Sequence, residues 1–199
     1  MSTPAVEGTP RRRAVFLDRD GVLVHDRGPL ARFEDAEIPD DVPAALARLH
    51  AAGYVLVGIS NQTVIARGLL DELAVRTLQQ RIEATIVERG GVPLTAFYLC
   101  PHHPNADLEA YRVACTCRKP APGMLLRAIA ELGLDPHESI MIGDRPSDVA
   151  AGQAAGCRTV WLHSGRHDDP AIVSALRVTP APADHCCSTL MEAAQWLVG

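Results

Sequence analysis

The chain has 199 residues, 47% of them hydrophobic and 22% charged, a composition that suits a globular protein with a substantial core. Its net charge of −5 offers a phosphate backbone no bulk attraction, so a nucleic-acid partner is disfavoured. No apolar run nears the ~18 residues of a membrane span, and the stretch after Arg11-Arg12-Arg13 is too short for a signal peptide, so no membrane association and a cytosolic location are expected.

Residues 1–12 read as a disordered tail ahead of a single domain over residues 13–199. The domain opens on Ala14-Val15-Phe16-Leu17, a β-prone run that stops at Asp18-Arg19-Asp20-Gly21. A buried parallel strand would carry both carboxylates out of its C-terminal end, where open α/β sheets bind ligands. Such neighbours repel unless a divalent cation or a shared proton intervenes. Alone, the run reads equally well as a strand and a polar turn.

Residues 25–40, broken by Gly28 and Pro29, read as a loop or flap. A helix is expected over residues 41–52, capped by Asp41 and stopped by Gly53, followed by a strand over 54–59 that ends on Ser60-Asn61-Gln62. Leu73, Leu78, Ile82 and Ile86 predict a helix over 71–89. Residues 94–99 form a third strand, and 100–119 have no regular period. A helix over 122–132 precedes a strand over 139–142 that ends on Gly143-Asp144. A short helix (147–155), a strand (157–162), a short last strand (184–187) and a final helix (189–198) complete the chain. This alternation predicts an α/β Rossmann-like fold, a parallel sheet with helices on both faces and no second core.

In such a sheet the strand ends carrying Asp18 and Asp20, Ser60 and Asn61, and Asp144 converge on one edge. Asp18 and Asp144 suit Mg²⁺, while Lys119, Ser60 and the amides near Asn61 suit phosphate oxygens. An aspartate beside Mg²⁺ and facing a phosphate can act as nucleophile. A second aspartate two residues on can protonate the leaving alkoxide and then deprotonate water. Each residue has a plain reading by itself: Asp144 as a helix cap, Lys119 as a solvated charge, Ser60 as a turn residue. Their joint placement favours a site.

The six cysteines are clustered unevenly. Cys100-x-His102 followed by Cys115-x-Cys117 offers three thiolates and an imidazole, a closed set suited to structural Zn²⁺. His103 rivals His102 as the nitrogen ligand, and a reduced cysteine pair packed in a loop is the alternative. Cys157 reads as core packing, Cys186-Cys187 as a buried strand with His185 an exposed neighbour, and His163 and His167 as solvated loop residues.

Asp18-Arg19-Asp20-Gly21-Val22, Ser60-Asn61, Lys119-Pro120 and Gly143-Asp144-Arg145-Pro146-Ser147-Asp148 resemble, in order, the four motifs of the haloacid dehalogenase-like (HAD) phosphatases. The resemblance implies Asp18 as nucleophile and Asp20 as general acid/base. It implies Mg²⁺ held by Asp18, the Asp20 carbonyl and Asp144, with Asp148 in support and with Ser60 and Lys119 on the transferring phosphoryl group. With Cys117-Arg118-Lys119-Pro120 and Ile65-Ala66-Arg67-Gly68, the chain is similar to the zinc-bearing subfamily that removes the 7-phosphate of D-glycero-D-manno-heptose 1,7-bisphosphate.

That subfamily implies a small zinc loop (100–118) in place of a large cap domain, pinning Arg118 and Lys119. It implies substrate contacts from Asp26, Arg27, Gly28, Pro29, Asn61, Gln62, Thr63, Arg118 and Arg145, with Arg118 recognising the second phosphate. Departures stand at Val22 for threonine, Thr63-Val64 for Ser-Gly, Pro29 for an aromatic and Arg145 for lysine. A phosphorylated sugar is the expected partner and a monomer the expected state. Histidinol-phosphate phosphatase or another small sugar-phosphate phosphatase is the same-class alternative, and a phosphoacceptor signalling domain or a nucleic-acid end phosphatase are the distant ones.

Overall fold

The computed structural model describes residues 12–163 and 182–199. The expectations for residues 1–11 and for His167 lie outside them. Strand β1 (Ala14–Leu17) is buried at all of its positions. Period-two alternation sends Val15 and Leu17 into the core on one face of the sheet and Ala14 and Phe16 into the core on the other. That two-sided burial is what a central parallel strand requires.

β2 (Val55–Asn61), β3 (Ala96–Cys100), β4 (Ile140–Gly143), β5 (Arg158–Leu162) and β6 (His185–Cys187) join it. All pair in parallel, in the order β3-β2-β1-β4-β5-β6. The chain runs outward from β1 to β3, then returns to β1's other side with β4. The crevice at the C-terminal ends of β1 and β4 is therefore the topological switch point where ligands bind.

One face is covered by α1 (Val42–Ala51), α3 (Glu72–Glu88) and α6 (Leu190–Val198), the other by α4 (Gly123–Leu132) and α5 (Pro146–Ala154). Leu46 and Leu49 of α1 are both fully buried. Each contributes about 1.5–3 kcal/mol relative to an exposed side chain. Asp71 caps α3 by accepting from the Ala74 amide at 2.7 Å. No helix among the described residues is long and apolar enough to cross a membrane.

Several expectations needed correction. Leu73 is 73% exposed, because it lies five residues before Leu78 and so about 140° around the helix from the buried stripe of Val75, Leu78, Ile82 and Ile86. Asp41 makes no cap bond to its own helix; its carboxylate accepts from the Met191 amide at 2.9 Å, in the first turn of α6. Cys186 is exposed and Cys187 buried, while the half-buried His185 stacks on Trp196 at 4.4 Å. Period-two alternation in an edge strand puts His185 and Cys187 on the α6 side and leaves Cys186 outside. The sequence also gave no sign of the short helix α2 (Thr63–Ala66), nor of the 3-10 turn Glu109–Tyr111 inside the cysteine segment.

Candidate active site

β1 is pinned to β4 to the last residue, the Asp18 amide donating to the Ile142 carbonyl at 3.0 Å. The chain then turns: the amides of Val22, Leu23 and Val24 all converge on the Arg19 carbonyl. Gly21 permits this with φ +92°, and its backbone lies so near Asp144 that a Cβ would fall 2.1 Å from that carboxylate. Asp18 is 5% exposed and Asp144 fully buried.

Lys119 reaches this edge from the cysteine segment. Its backbone is clamped by the Asn61 side-chain amide, which donates to the Lys119 carbonyl and accepts from its N–H, both at 3.1 Å. The ammonium donates to the Ile59 carbonyl at 2.9 Å and lies 3.0 Å from Asp18 and 2.6 Å from Asp148. Burial works to lower the Lys119 pKa, but Asp148 and Asp18 outweigh it and raise the value. Asp148 lies in the first turn of α5, accepting from the Arg145 amide at 3.0 Å. Its own pKa is raised because burial outweighs the pull of Lys119.

Carboxylate oxygens of Asp18, Asp144 and Asp148 lie within 4.8 Å of one another. One ammonium cannot neutralise three buried carboxylates, and this oxygen-rich excess of negative charge fits a hard divalent cation such as Mg²⁺. With Asp148 engaged by Lys119 and the Arg145 amide, Asp18 and Asp144 are the carboxylates that would hold it. The Arg145 guanidinium is 3.8 Å from Asp144 and 2.6 Å from Asp26.

Asp20 points away from this cluster. Its carboxylate is gripped by Arg19, whose Nε and Nη2 donate at 3.0 and 2.9 Å, and Gln62 donates from 3.3 Å. Burial raises the Asp20 pKa against the pull of Arg19, and the charge of Asp18 adds to the rise. A carboxyl that holds its proton to higher pH beside an ionised partner is the pairing that general acid catalysis needs.

Arg19, 1% exposed, escaped the sequence reading, since nothing in a strand-end pattern marks an arginine that buries itself to hold the next residue. Ser60 is 1% exposed and accepts from Gln62 at 2.7 Å, so it sits behind Gln62 and outside the cleft wall. Arg27 pairs with Glu37 at 2.5 Å and is likewise absent from the cleft lining. Asp26, Gly28, Pro29, Asn61, Gln62, Thr63, Arg118 and Arg145 do line the cleft, which has a volume of about 630 Å³. His163 does not line it and stacks on Trp161 at 5.7 Å.

Beside the cleft, the sulfurs of Cys100, Cys115 and Cys117 are 3.1–3.6 Å apart, and His102 Nδ1 is 3.7 and 3.4 Å from Cys100 and Cys117. Disulfide sulfurs would be about 2.0 Å apart, and ligands of one tetrahedral Zn²⁺ about 3.8 Å apart. The donor set therefore fits zinc, with His102 and not His103 beside the thiols. Burial raises the Cys100 and Cys117 thiols. It also raises Cys115, but hydrogen bonds from Cys117, the Arg118 amide and Cys100 bring that thiol to about 7.

A parallel α/β sheet with a nucleophile-placed aspartate, an acid two residues on and a lysine at the same edge defines a HAD-type phosphatase. The HAD-hydrolase-like family profile matches residues 116–193. The D-glycero-β-D-manno-heptose-1,7-bisphosphate 7-phosphatase of Photorhabdus laumondii is 44% identical over 154 residues, 77% of this chain and 81% of that protein. The enzyme of the same name from Escherichia coli K12 is 39% identical over 158 residues, 79% and 82% of the two chains.

The crystal structure of D,D-heptose 1,7-bisphosphate phosphatase from B. bronchiseptica, complexed with magnesium and phosphate, superposes with a TM-score of 0.78. It is 27% identical and covers 94% of this chain and 98% of its own. The chain belongs to the heptose-1,7-bisphosphate 7-phosphatase family of HAD-like hydrolases.

Proposed function

We propose that the protein is a Mg²⁺-dependent phosphatase that removes the 7-phosphate of D-glycero-β-D-manno-heptose 1,7-bisphosphate through an aspartyl-phosphate on Asp18. The observation that carries the reading is the opposite placement of two neighbouring aspartates. Asp18 lies 3.0 Å from the Lys119 ammonium in the carboxylate cluster, whereas Asp20 is turned out against Arg19 with a raised pKa. The relatives named for the β-anomer support the substrate. The magnesium and phosphate in the B. bronchiseptica structure support the metal.

An Asp18 oxygen attacks the phosphorus and the P–O bond to C7 breaks. Asp20, held by Arg19 and Gln62 before substrate arrives, gives its proton to the departing alkoxide. The Asp20 carboxylate then takes a proton from the water that attacks the same phosphorus, and inorganic phosphate leaves with Asp18 regenerated. Lys119 stays charged throughout and balances the phosphoryl oxygens. Ser60 serves by anchoring Gln62. Bound to Asp18, Asp144 and the Asp20 carbonyl, Mg²⁺ would neutralise the charge that otherwise keeps a phosphate from approaching three carboxylates.

Zn²⁺ on Cys100, His102, Cys115 and Cys117 would fix the loop that presents Arg118 and Lys119. The cluster of reduced thiols suits a cytosolic enzyme. The test is phosphate release from both anomers of the heptose bisphosphate with Mg²⁺, using histidinol phosphate as control and Asp18→Asn as blank. Release that favours the β-anomer and vanishes in the variant is expected. Faster cleavage of histidinol phosphate would overturn the substrate, and turnover by Asp18→Asn would overturn the mechanism.

A further inference from the structure

Arg145 stands between two acids that pull its guanidinium in different directions. Its Nη2 donates to Asp26, in the flap, at 2.6 Å, and its Nε lies 3.8 Å from Asp144, at the edge of the sheet. The charges of Asp144, Asp18 and Asp26 all reach this guanidinium. The backbone is fixed, because the Arg145 amide donates to Asp148 at 3.0 Å where α5 begins. Any shift between the two acids is therefore a movement of the side chain alone.

The flap tip depends on this contact. The Asp26 side chain is 3% exposed, whereas Arg27 and Glu37, which pair across the neck of the flap, are 67% and 51% exposed. An exposed pair of that kind contributes only about 0–1 kcal/mol. The His25 amide adds a backbone bond to the Glu37 carbonyl at 2.9 Å. Asp26 also accepts from the Gly28 amide at 2.9 Å, so one carboxylate both folds the tip and fastens it to Arg145. Asp26, Gly28 and Pro29 line the cleft, so the grip on Asp26 governs how the tip stands over it.

Resting on the Mg²⁺-dependent reading above, we propose that Asp26 and Arg145 form a clasp that couples closure of the flap to Mg²⁺ at Asp18 and Asp144. Without metal, Asp144 competes with Asp26 for the one guanidinium. With its charge taken up by a divalent cation, Asp144 no longer attracts Arg145, which is left wholly to Asp26. The coupling runs in both directions by thermodynamic necessity. Without the Asp26 carboxylate, Arg145 turns to Asp144 and competes there with the metal. Asp26 is thus a positioning residue that acts through Arg145.

The test uses the whole chain as wild type, Asp26→Asn and Arg145→Met, with two readouts that need no turnover. Calorimetric titration gives Mg²⁺ affinity, and hydrogen exchange of the Gly28 amide, with and without saturating Mg²⁺, reports flap closure. Asp26→Asn should weaken Mg²⁺ binding about five- to twentyfold, toward the low end of coupling between sites because the Arg145 side chain is 38% exposed and screened. In the wild type Mg²⁺ should slow Gly28 exchange by a factor of the same order, and in both variants that slowing should vanish. Arg145→Lys, which keeps the charge, should retain part of it.

Slowing that survives in Arg145→Met would mean that Asp26 senses the metal directly, and would overturn the clasp. Unchanged Mg²⁺ affinity in Asp26→Asn, or wild-type exchange that ignores the metal, would do the same. Failure of the wild type to bind Mg²⁺ would overturn the metal reading and the clasp together. Wild-type binding without coupling would overturn the clasp alone.

Discussion

Lys119→Met removes one cation from a buried set that is already short of positive charge. The Lys119 side chain is 1% exposed, with Asp148 at 2.6 Å and Asp18 at 3.0 Å, and Asp144 completes the carboxylate cluster. Breaking a buried pair by deleting one member costs about 3–5 kcal/mol, a large share of a domain's stability. Urea unfolding in chelator should show that deficit. Added Mg²⁺ should recover part of it, because binding to the folded state alone stabilises by mass action and the variant site is the more negative.

The pH dependence has a defined sign. In the wild type the folded Lys119 pKa lies above the ordinary 10.5, so its contribution is complete below that value and is lost as pH rises through the folded pKa. In the variant no ammonium opposes the rise in the pKa of Asp148 above its ordinary 3.8. The deficit should therefore be small in acid and grow as pH rises from 3.8 through the raised value. Turnover should fall about 10²–10³-fold, the scale of losing one positioned charge at a transferring group. A deficit under about 1 kcal/mol that ignores both Mg²⁺ and pH would refute the charge-balance argument.

Asp20→Asn should lose about 10²–10⁴-fold in kcat/KM with an alkyl phosphate and much less in kcat/KM with p-nitrophenyl phosphate, whose leaving group needs no proton; because the water step is common to both esters, kcat should fall with both, and equal losses in kcat/KM would remove Asp20 from the leaving group's proton path. In the wild type, kcat/KM for the alkyl ester should decline as pH rises through the raised Asp20 pKa, above the ordinary aspartate value of 3.8. Gly21→Ala puts a methyl within 2.1 Å of the Asp144 carboxylate at φ +92°, so titration should show Mg²⁺ affinity weakened about tenfold or more while the fold persists by circular dichroism. Cys115→Ser should lower bound zinc, measured by elemental analysis, and reduce kcat/KM through displacement of Arg118 and Lys119. Full activity without zinc would separate the cluster from the site.

The alternation of strands and helices was legible because each element carries its own period and punctuation, as in the run from Ala14 to Leu17 or the helix closed by Gly133. The placement of the residues proposed to react was legible for a related reason: in a parallel sheet, any polar residue that ends an apolar strand is delivered to the same edge. Asp18, Asp20 and Asp144 could thus be gathered from strand ends alone, and the cysteine spacing marked a cluster that could hold a metal.

What the sequence could not decide are pairings between segments that no local period relates. Asp41 starts one helix yet accepts from the first turn of another, and Arg145 is matched by Asp26 from a loop 119 residues away. Ser60 was assigned to the phosphoryl group from its strand end and its motif, and only the tertiary structure shows its hydroxyl accepting from Gln62. Local propensity and strand direction determined which groups reach the edge. Which charges are neutralised there and which are left for a ligand was set by long-range packing, because electrostatic balance depends on every neighbour in space and on none in particular along the chain.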